Sequence, residues 1–356
     1  VTQLQFSDSQ KHSSAFLRQL LAIEQIQLGA QEPSAVCTNL PENQLGGVAC
    51  TLTSSQFTPE KVAAAQLVVR TPALTLAKLE KLQLALDGTL TLGAFRPRWL
   101  DGDPLGLAVV FDVLDVPAKF ETAQLDAVCR QHRLELNLLR QAPSLNKPGL
   151  MVMDMDSTVI QMECIDELAK LAGVGDKVSA VTEQAMQGKL DFAQSLRERV
   201  ACLKGADQSI LAQVQDAMPL MPGVETLVQR LKHHGWKVVI ASGGFTYFAD
   251  NLKQRLGLDA AVSNVLGLAD GKLTGEVDGR IVDAQVKAQT LTELARQWNI
   301  APGQTVAMGD GANDLVMMEA AGLGVAYRAK PVVGARADSA IRFGGLEEML
   351  YLLDPA

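Results

Sequence analysis

The sequence predicts an α/β protein, a Rossmann-like parallel sheet with a helical cap, preceded by an α+β ferredoxin-like domain. Three observations predict it. From residue 150 onward short apolar runs alternate with amphipathic helical segments, the pattern of a parallel sheet covered on both faces. Residues 161–220 carry helical periodicity only, which predicts an insertion lying over the sheet edge. Ahead of residue 150, strand and helix patterns follow one another in the order βαββαβ.

Taken in order, residues 1–62 are polar and rich in Gln and Ser, with one amphipathic segment at Ala15 to Leu28 that carries Phe16, Leu17, Leu20, Leu21 and Ile23. They predict no particular fold. A domain is expected over 63–143. In it QLVVR is a strand, TLAKLEKLQLALDG a helix with leucines three apart and a Gly stop, and TLTLGAF a strand by alternation. GLAVVFDV reads as a buried strand, KFETAQLDAVCRQHR as a helix, and LELNLLR as the last strand. The Pro-, Ser-, Asn- and Gly-rich APSLNKPG, 142–149, marks the boundary, with a linker at 144–149. The remainder, 150–356, is the second domain, with CIDELAKLAG and LDFAQSLRERVACLKG among the helices of its cap at 161–220.

Composition narrows the function. The chain has 356 residues, 47% of them hydrophobic, and its 32 basic against 40 acidic side chains give a net charge of −8. No dense basic run suggests nucleic acid or an anionic membrane surface, so a small molecule is the expected partner. No run of 18 apolar residues and no secretory leader stands in the sequence, which predicts a cytoplasmic protein. Five cysteines, Cys37, Cys50, Cys129, Cys164 and Cys202, are odd in number and widely spaced, so they are expected as reduced thiols.

Three apolar runs end in chemically active residues: GLMVM in Asp154, KVVIA in Ser242, QTVAM in Gly309 and Asp310. Ligands of open α/β sheets bind beyond the carboxyl ends of the strands, so these positions should converge. Asp154, Asp156, Asp310 and Asp314 would then repel one another unless a cation sits among them, and oxygen ligands with no neighbouring His or Cys favour Mg²⁺. Alternation along a strand would turn Asp154 and Asp156 to one side. Ser242, Gly243 and Gly244, between a strand and a helix, offer a hydroxyl and open N–H groups to an anion, and Lys287 offers a compact positive charge. GDGANDLVMM lacks both the G-x-x-x-x-G-K-[ST] and the G-x-G-x-x-G pattern, so no nucleotide cradle is expected.

Together DMDST, SGG, the later Lys287 and GDGAND resemble the haloacid-dehalogenase-like superfamily, and within it the phosphoserine phosphatases, over about 150–350. The resemblance implies Mg²⁺-dependent hydrolysis of O-phosphoserine to serine and phosphate through a phospho-aspartyl intermediate, the last step of serine biosynthesis. It implies Asp154 as nucleophile and Asp156 as general acid and base. Asp154, the Asp156 carbonyl and Asp310 would hold the metal, with Asp314 in support. Ser242, Gly243, Gly244, Lys287 and Asn313 would hold the phosphate, Glu163 the substrate amino group and Arg199 its carboxylate, with Arg197 as a rival. The 63–143 domain resembles ACT-like regulatory domains, which leaves an amino-acid effector or a homodimer contact open there. The same chemistry could serve a phosphotransferase or another small phosphomonoester, and a regulatory amino-acid sensor is the reading from a different class.

Overall fold

A computed structural model describes residues 2–5, 26–28, 34–37, 63–71, 73–99 and 107–355, and divides the chain into two compact units, Val1–Gln141 and Ala142–Ala356. The first unit opens with strands β1 (Thr2–Gln5), β2 (Ile26–Leu28) and β3 (Ser34–Cys37), an antiparallel sheet in the order β1-β3-β2. Most of the amphipathic segment predicted at 15–28 lies outside the described residues; its last three residues form β2.

The βαββαβ order follows as β4 (Ala65–Arg70), α1 (Leu76–Leu86), β5 (Thr91–Trp99), β6 (Leu107–Asp115), α2 (Ala123–His132) and β7 (Glu135–Leu139). These strands form an antiparallel sheet in the order β5-β6-β4-β7. Strand β4 is paired on both edges, which is why Leu67, Val68 and Val69 are fully buried. Helix α1 starts where the Thr75 hydroxyl accepts the Lys78 N–H, and its Leu76, Leu79, Leu82 and Leu86 close one core with Phe95 and Phe111.

The second unit begins with β8 (Leu150–Met153), whose four residues are all 0% exposed. Four cap helices follow: α3 (Cys164–Leu171), α4 (Gly175–Met186), α5 (Phe192–Ala201) and α6 (Ser209–Asp216). Then come α7 (Val224–His233), β9 (Lys237–Phe245), α8 (Thr246–Leu256), β10 (Ala260–Ala269), β11 (Lys272–Asp278), α9 (Ala284–Gln297), β12 (Thr305–Gly309), α10 (Leu315–Ala320), β13 (Leu323–Tyr327) and β14 (Ser339–Ile341). The sheet order is β11-β10-β9-β8-β12-β13-β14, parallel except for the β10–β11 hairpin. The chain grows outward from β8 on one side and resumes at β12 on the other, so the order reverses beside β8. Ligands of open sheets lodge at such a reversal.

APSLNKPG has the composition of a linker, yet it is packed into this unit. Gln304 accepts the Ser144 N–H and donates to the Ser144 carbonyl, the Trp236 ring N–H donates to the Leu145 carbonyl, and Leu145 and Asp354 bond through their backbones. Gly149 lies so close to the Trp236 ring that a Cβ there would overlap it. Pro, Asn and Gly signal irregular backbone, which packing can still hold.

The cap is tied down at both ends. Gln161 N–H donates to the Pro219 carbonyl at its base, and Gly205, Ala206 and Gln208, after α5, bond through their backbones to Leu273 and Gly271 of the hairpin. Among the described residues no helix is long and apolar enough to cross a membrane, and Cys129, Cys164 and Cys202 are free thiols.

Candidate active site

Asp154 and Asp310 directly follow β8 and β12, and Ser242 lies in the last four residues of the adjacent β9, the three strands being in register: Met153 pairs with Ile240 on one side and Met308 on the other. Because the strands are parallel, their carboxyl ends share one edge, and the three residues line one cavity with Asp156, Glu163, Arg199, Gly243, Gly244 and Asn313.

Asp154 is 6% exposed, and its Oδ1 accepts its neighbour's N–H, from Met155, at 2.7 Å. Asp154, Asp310 and Asp314 each bring a carboxylate oxygen within 4.8 Å of the others. Lys287, on the first turns of α9 and 0% exposed, sets its Nζ 2.9 Å from Asp154 Oδ1 and 2.7 Å from Asp314 Oδ1. Burial alone would lower the Lys287 pKa, but Asp154 and Asp314 outweigh it and hold the ammonium above its ordinary value. Asp310 and Asp314 are both raised, first by burial and then by repulsion from Asp154. Asp314 also accepts the Gly311 N–H, so its two oxygens are already engaged, whereas Asp310 accepts the Thr158 hydroxyl at 3.2 Å.

This donor set fits a hard divalent cation. All the ligand atoms are oxygens, they converge, and one ammonium does not balance three acids. Of the four aspartates expected together, Asp156 keeps its carboxylate out of the cluster.

The strand alternation expected to turn Asp154 and Asp156 to one side does not extend that far. Strand β8 ends at Met153, and Asp156 sits in a turn, so alternation does not aim it. The turn is closed by N–H groups of Thr158, Val159 and Ile160 converging on the Met155 carbonyl, with Ser157 at φ +56. It sends the Asp156 carboxyl toward α3, where it accepts the Cys164 N–H at 3.4 Å. Solvent still reaches part of Asp156 through the cavity mouth, but the protein packed round its carboxyl, then Glu163 and Asp154, push its pKa up to about 8. A carboxyl so placed keeps its proton at neutral pH and can donate it.

On the other side, Ser242 is 1% exposed and its Oγ accepts the Gly244 N–H at 3.0 Å. A Cβ on Gly243 would strike the Phe192 ring at 2.6 Å, and one on Gly244 would meet Met155 at 2.5 Å, so the cap and the DMD turn both press on this backbone. From the cap, Glu163 accepts the Ser157 hydroxyl at 2.7 Å, and its carboxyl is raised mainly by burial although it stands at the exposed rim. Arg199 is half-buried and bonds only the Ser195 carbonyl, at 3.4 Å, among the described contacts; burial lowers its pKa, while Asp166, Glu163 and Asp156 oppose that. Arg197 is exposed and does not line the cavity, because two positions along a helix rotate it away.

Sequence reasoning missed the apolar wall of Ile165, Phe192 and Leu196, which reads as ordinary helix core, and the β10–β11 hairpin, which Asp270-Gly271 between apolar alternations signals.

The haloacid dehalogenase-like hydrolase family matches residues 149–322. The phosphoserine phosphatase of Vibrio cholerae is 56% identical over 235 residues, 66% of this chain and 72% of that one. A crystal structure of a probable phosphoserine phosphatase from Vibrio cholerae, unliganded, superposes with a TM-score of 0.69 at 47% identity, covering 82% of this chain and 87% of the other. A structure described as a phospho-aspartyl intermediate analogue of phosphoserine phosphatase gives a TM-score of 0.56 at 40% identity over 58% of this chain and all, 100%, of the other.

Proposed function

Since the chain belongs to the phosphoserine phosphatases of the haloacid dehalogenase-like hydrolases, enzymes acting on a phosphomonoester, we propose that it hydrolyses O-phosphoserine through a phosphoryl-Asp154 intermediate. The observation that carries this is the unlike environment of two aspartates one residue apart. Asp154 is held by the Lys287 ammonium, while Asp156 is pushed up to about 8. A nucleophile needs the first condition and a proton donor the second.

An Asp154 carboxylate oxygen attacks phosphorus as the ester P–O bond breaks, and the departing serine oxygen takes the Asp156 proton. Asp156, now a base, removes a proton from water, the water oxygen bonds to phosphorus, and the P–O bond to Asp154 breaks to release phosphate. The Ser242 hydroxyl, the Gly243 N–H, Lys287 and Asn313 would face the phosphoryl oxygens, with the Gly244 N–H, which donates to Ser242 Oγ, orienting that hydroxyl. Such preorganised donors are the largest lever on a reaction that is very slow in water. Phosphatases of this superfamily depend on a metal ion; we read it as Mg²⁺, held by Asp154, the Asp156 carbonyl and Asp310 with Asp314 behind, where it would neutralise charge on the phosphoryl oxygens. Glu163 would take the substrate ammonium and Arg199 its carboxylate. The N-terminal βαββαβ domain would serve as an ACT-like module for an amino-acid effector or for pairing two chains, and the enzyme would work in the cytoplasm.

Turnover of phosphoserine in Mg²⁺, measured by phosphate release, tests the reading. Arg199→Ala is expected to raise KM about 10- to 100-fold, the loss of a charged pair, with a smaller change in kcat. Arg197→Ala should leave both within about twofold. Equal effects of the two substitutions would remove Arg199 from the substrate site.

A further inference from the structure

Strands β9 and β10 do not pair evenly. Val262 stands opposite Ala241, but Asn264 stands opposite Phe245, so Ser242, Gly243 and Gly244 bow out of the ladder against Ser263 alone. The bow turns these residues into the cavity. It also takes the Gly243 carbonyl out of the strand ladder, and a buried carbonyl without a partner is costly.

Asn264 supplies that partner. It is 1% exposed, and its Nδ2 donates to the Gly243 carbonyl at 2.8 Å, while its Oδ1 accepts the Val282 N–H at 2.8 Å. A carbonyl can only accept and an N–H can only donate, so the two partners fix which end of the carboxamide faces which. Val282 stands next to Asp283, whose carboxylate caps α9 by accepting the Val286 N–H, and Lys287 lies on the first turns of that helix. One side chain thus ties the bowed SGG backbone to the segment that launches the Lys287 helix. The first lines the cavity, and the second stands behind it, with Lys287 Nζ 2.9 Å from Oδ1 of the lining Asp154.

Building on the phosphatase reading above, we infer that Asn264 is a positioning residue for the phosphoryl group: it holds the Gly243 peptide and the start of α9 at one spacing, matched to a tetrahedral anion. Among the described residues, the hydrogen bonds of the Asn264 side chain go to Gly243 and Val282, neither of them a metal ligand or part of the cap. Its effect should therefore fall on the anion and spare the serine end of the substrate, which the cap residues would hold.

The test uses the full chain. Asn264→Asp keeps an acceptor for Val282 but loses the donor and sets an oxygen against the Gly243 carbonyl. Calorimetric titrations in Mg²⁺ with inorganic phosphate, and separately with L-serine, are read beside the thermal midpoint. Phosphate affinity is expected to fall about tenfold or more, while serine affinity changes by less than about threefold and the variant stays folded. Unchanged phosphate affinity in a folded variant overturns the inference, and so do equal losses for phosphate and serine, which mark a merely structural residue. Should Asn264→Asp not fold, Asn264→Ala, which removes both bonds without a buried charge, carries the same expectation; if neither folds, the inference falls. Absence of phosphoserine turnover in the wild type would sink the proposed reaction, yet the phosphate titrations would still decide the role of Asn264.

Discussion

Asp154→Asn should lower kcat on phosphoserine by about 10⁴-fold or more and leave the protein folded. The amide cannot act as the attacking oxygen, and the covalent route is lost along with its second half, the hydrolysis of the intermediate. Folding should not suffer, because the substitution removes a charge from a self-repelling cluster. Lys287 still pairs with Asp314, and the amide oxygen can still accept the Met155 N–H. The thermal midpoint is therefore expected to stay within a few degrees of wild type or to rise. Phosphate release above about 1% of wild type would deny Asp154 the role of nucleophile. A large fall in midpoint would show that Asp154 is needed for the fold, and the activity loss could then not be assigned to chemistry.

Lys287→Met has the opposite profile, a large loss of both stability and turnover. Lys287 and Asp314 are each 0% exposed, and the ammonium also serves Asp154. Methionine keeps most of the apolar stem but strands two buried acids without their counterion. Breaking a buried ion pair from one side costs about 3–5 kcal/mol. For a unit of this size that corresponds to a fall of roughly 10 °C in the midpoint, measured in chelator so that no cation substitutes for the ammonium. Adding Asp314→Asn should recover part of the stability, because one stranded charge disappears, and should recover none of the turnover. A single variant as stable as wild type would mean that the acids are already protonated or solvated and that Lys287 does not balance them.

Both expectations rest on residues whose meeting at one sheet edge the sequence predicts, for a physical reason. A buried strand is an uninterrupted apolar run, so its end is easy to see, and a parallel sheet gathers such ends at one edge, which brings Asp154 and Asp310 together; Ser242 joins them although β9 runs on to Phe245, because the strand bows out of its ladder there. Asp156 was harder. It falls past the end of β8, and a turn closed by backbone bonds on Met155 decides its direction, whereas alternation assumes that the strand continues. Arg199 and Arg197 were indistinguishable by type and spacing until the buried face of α5, with Ser195, Leu196 and Val200, was fixed. Asn264 left no trace in the sequence because its partners are backbone atoms, which carry no residue identity. The 142–149 segment shows the same limit from the other side. Its composition announces irregular backbone correctly and is silent on Gln304, Trp236 and Asp354, which hold it.

The most direct test of the account is to quench the wild-type enzyme in acid during turnover of ³²P-labelled phosphoserine and to map the label by proteolysis. A covalent acyl phosphate on Asp154, present in the steady state and cleaved by hydroxylamine, is the result predicted here. Protein that carries no label at any quench time while phosphate is being released, or label mapped to a residue other than Asp154, would contradict it.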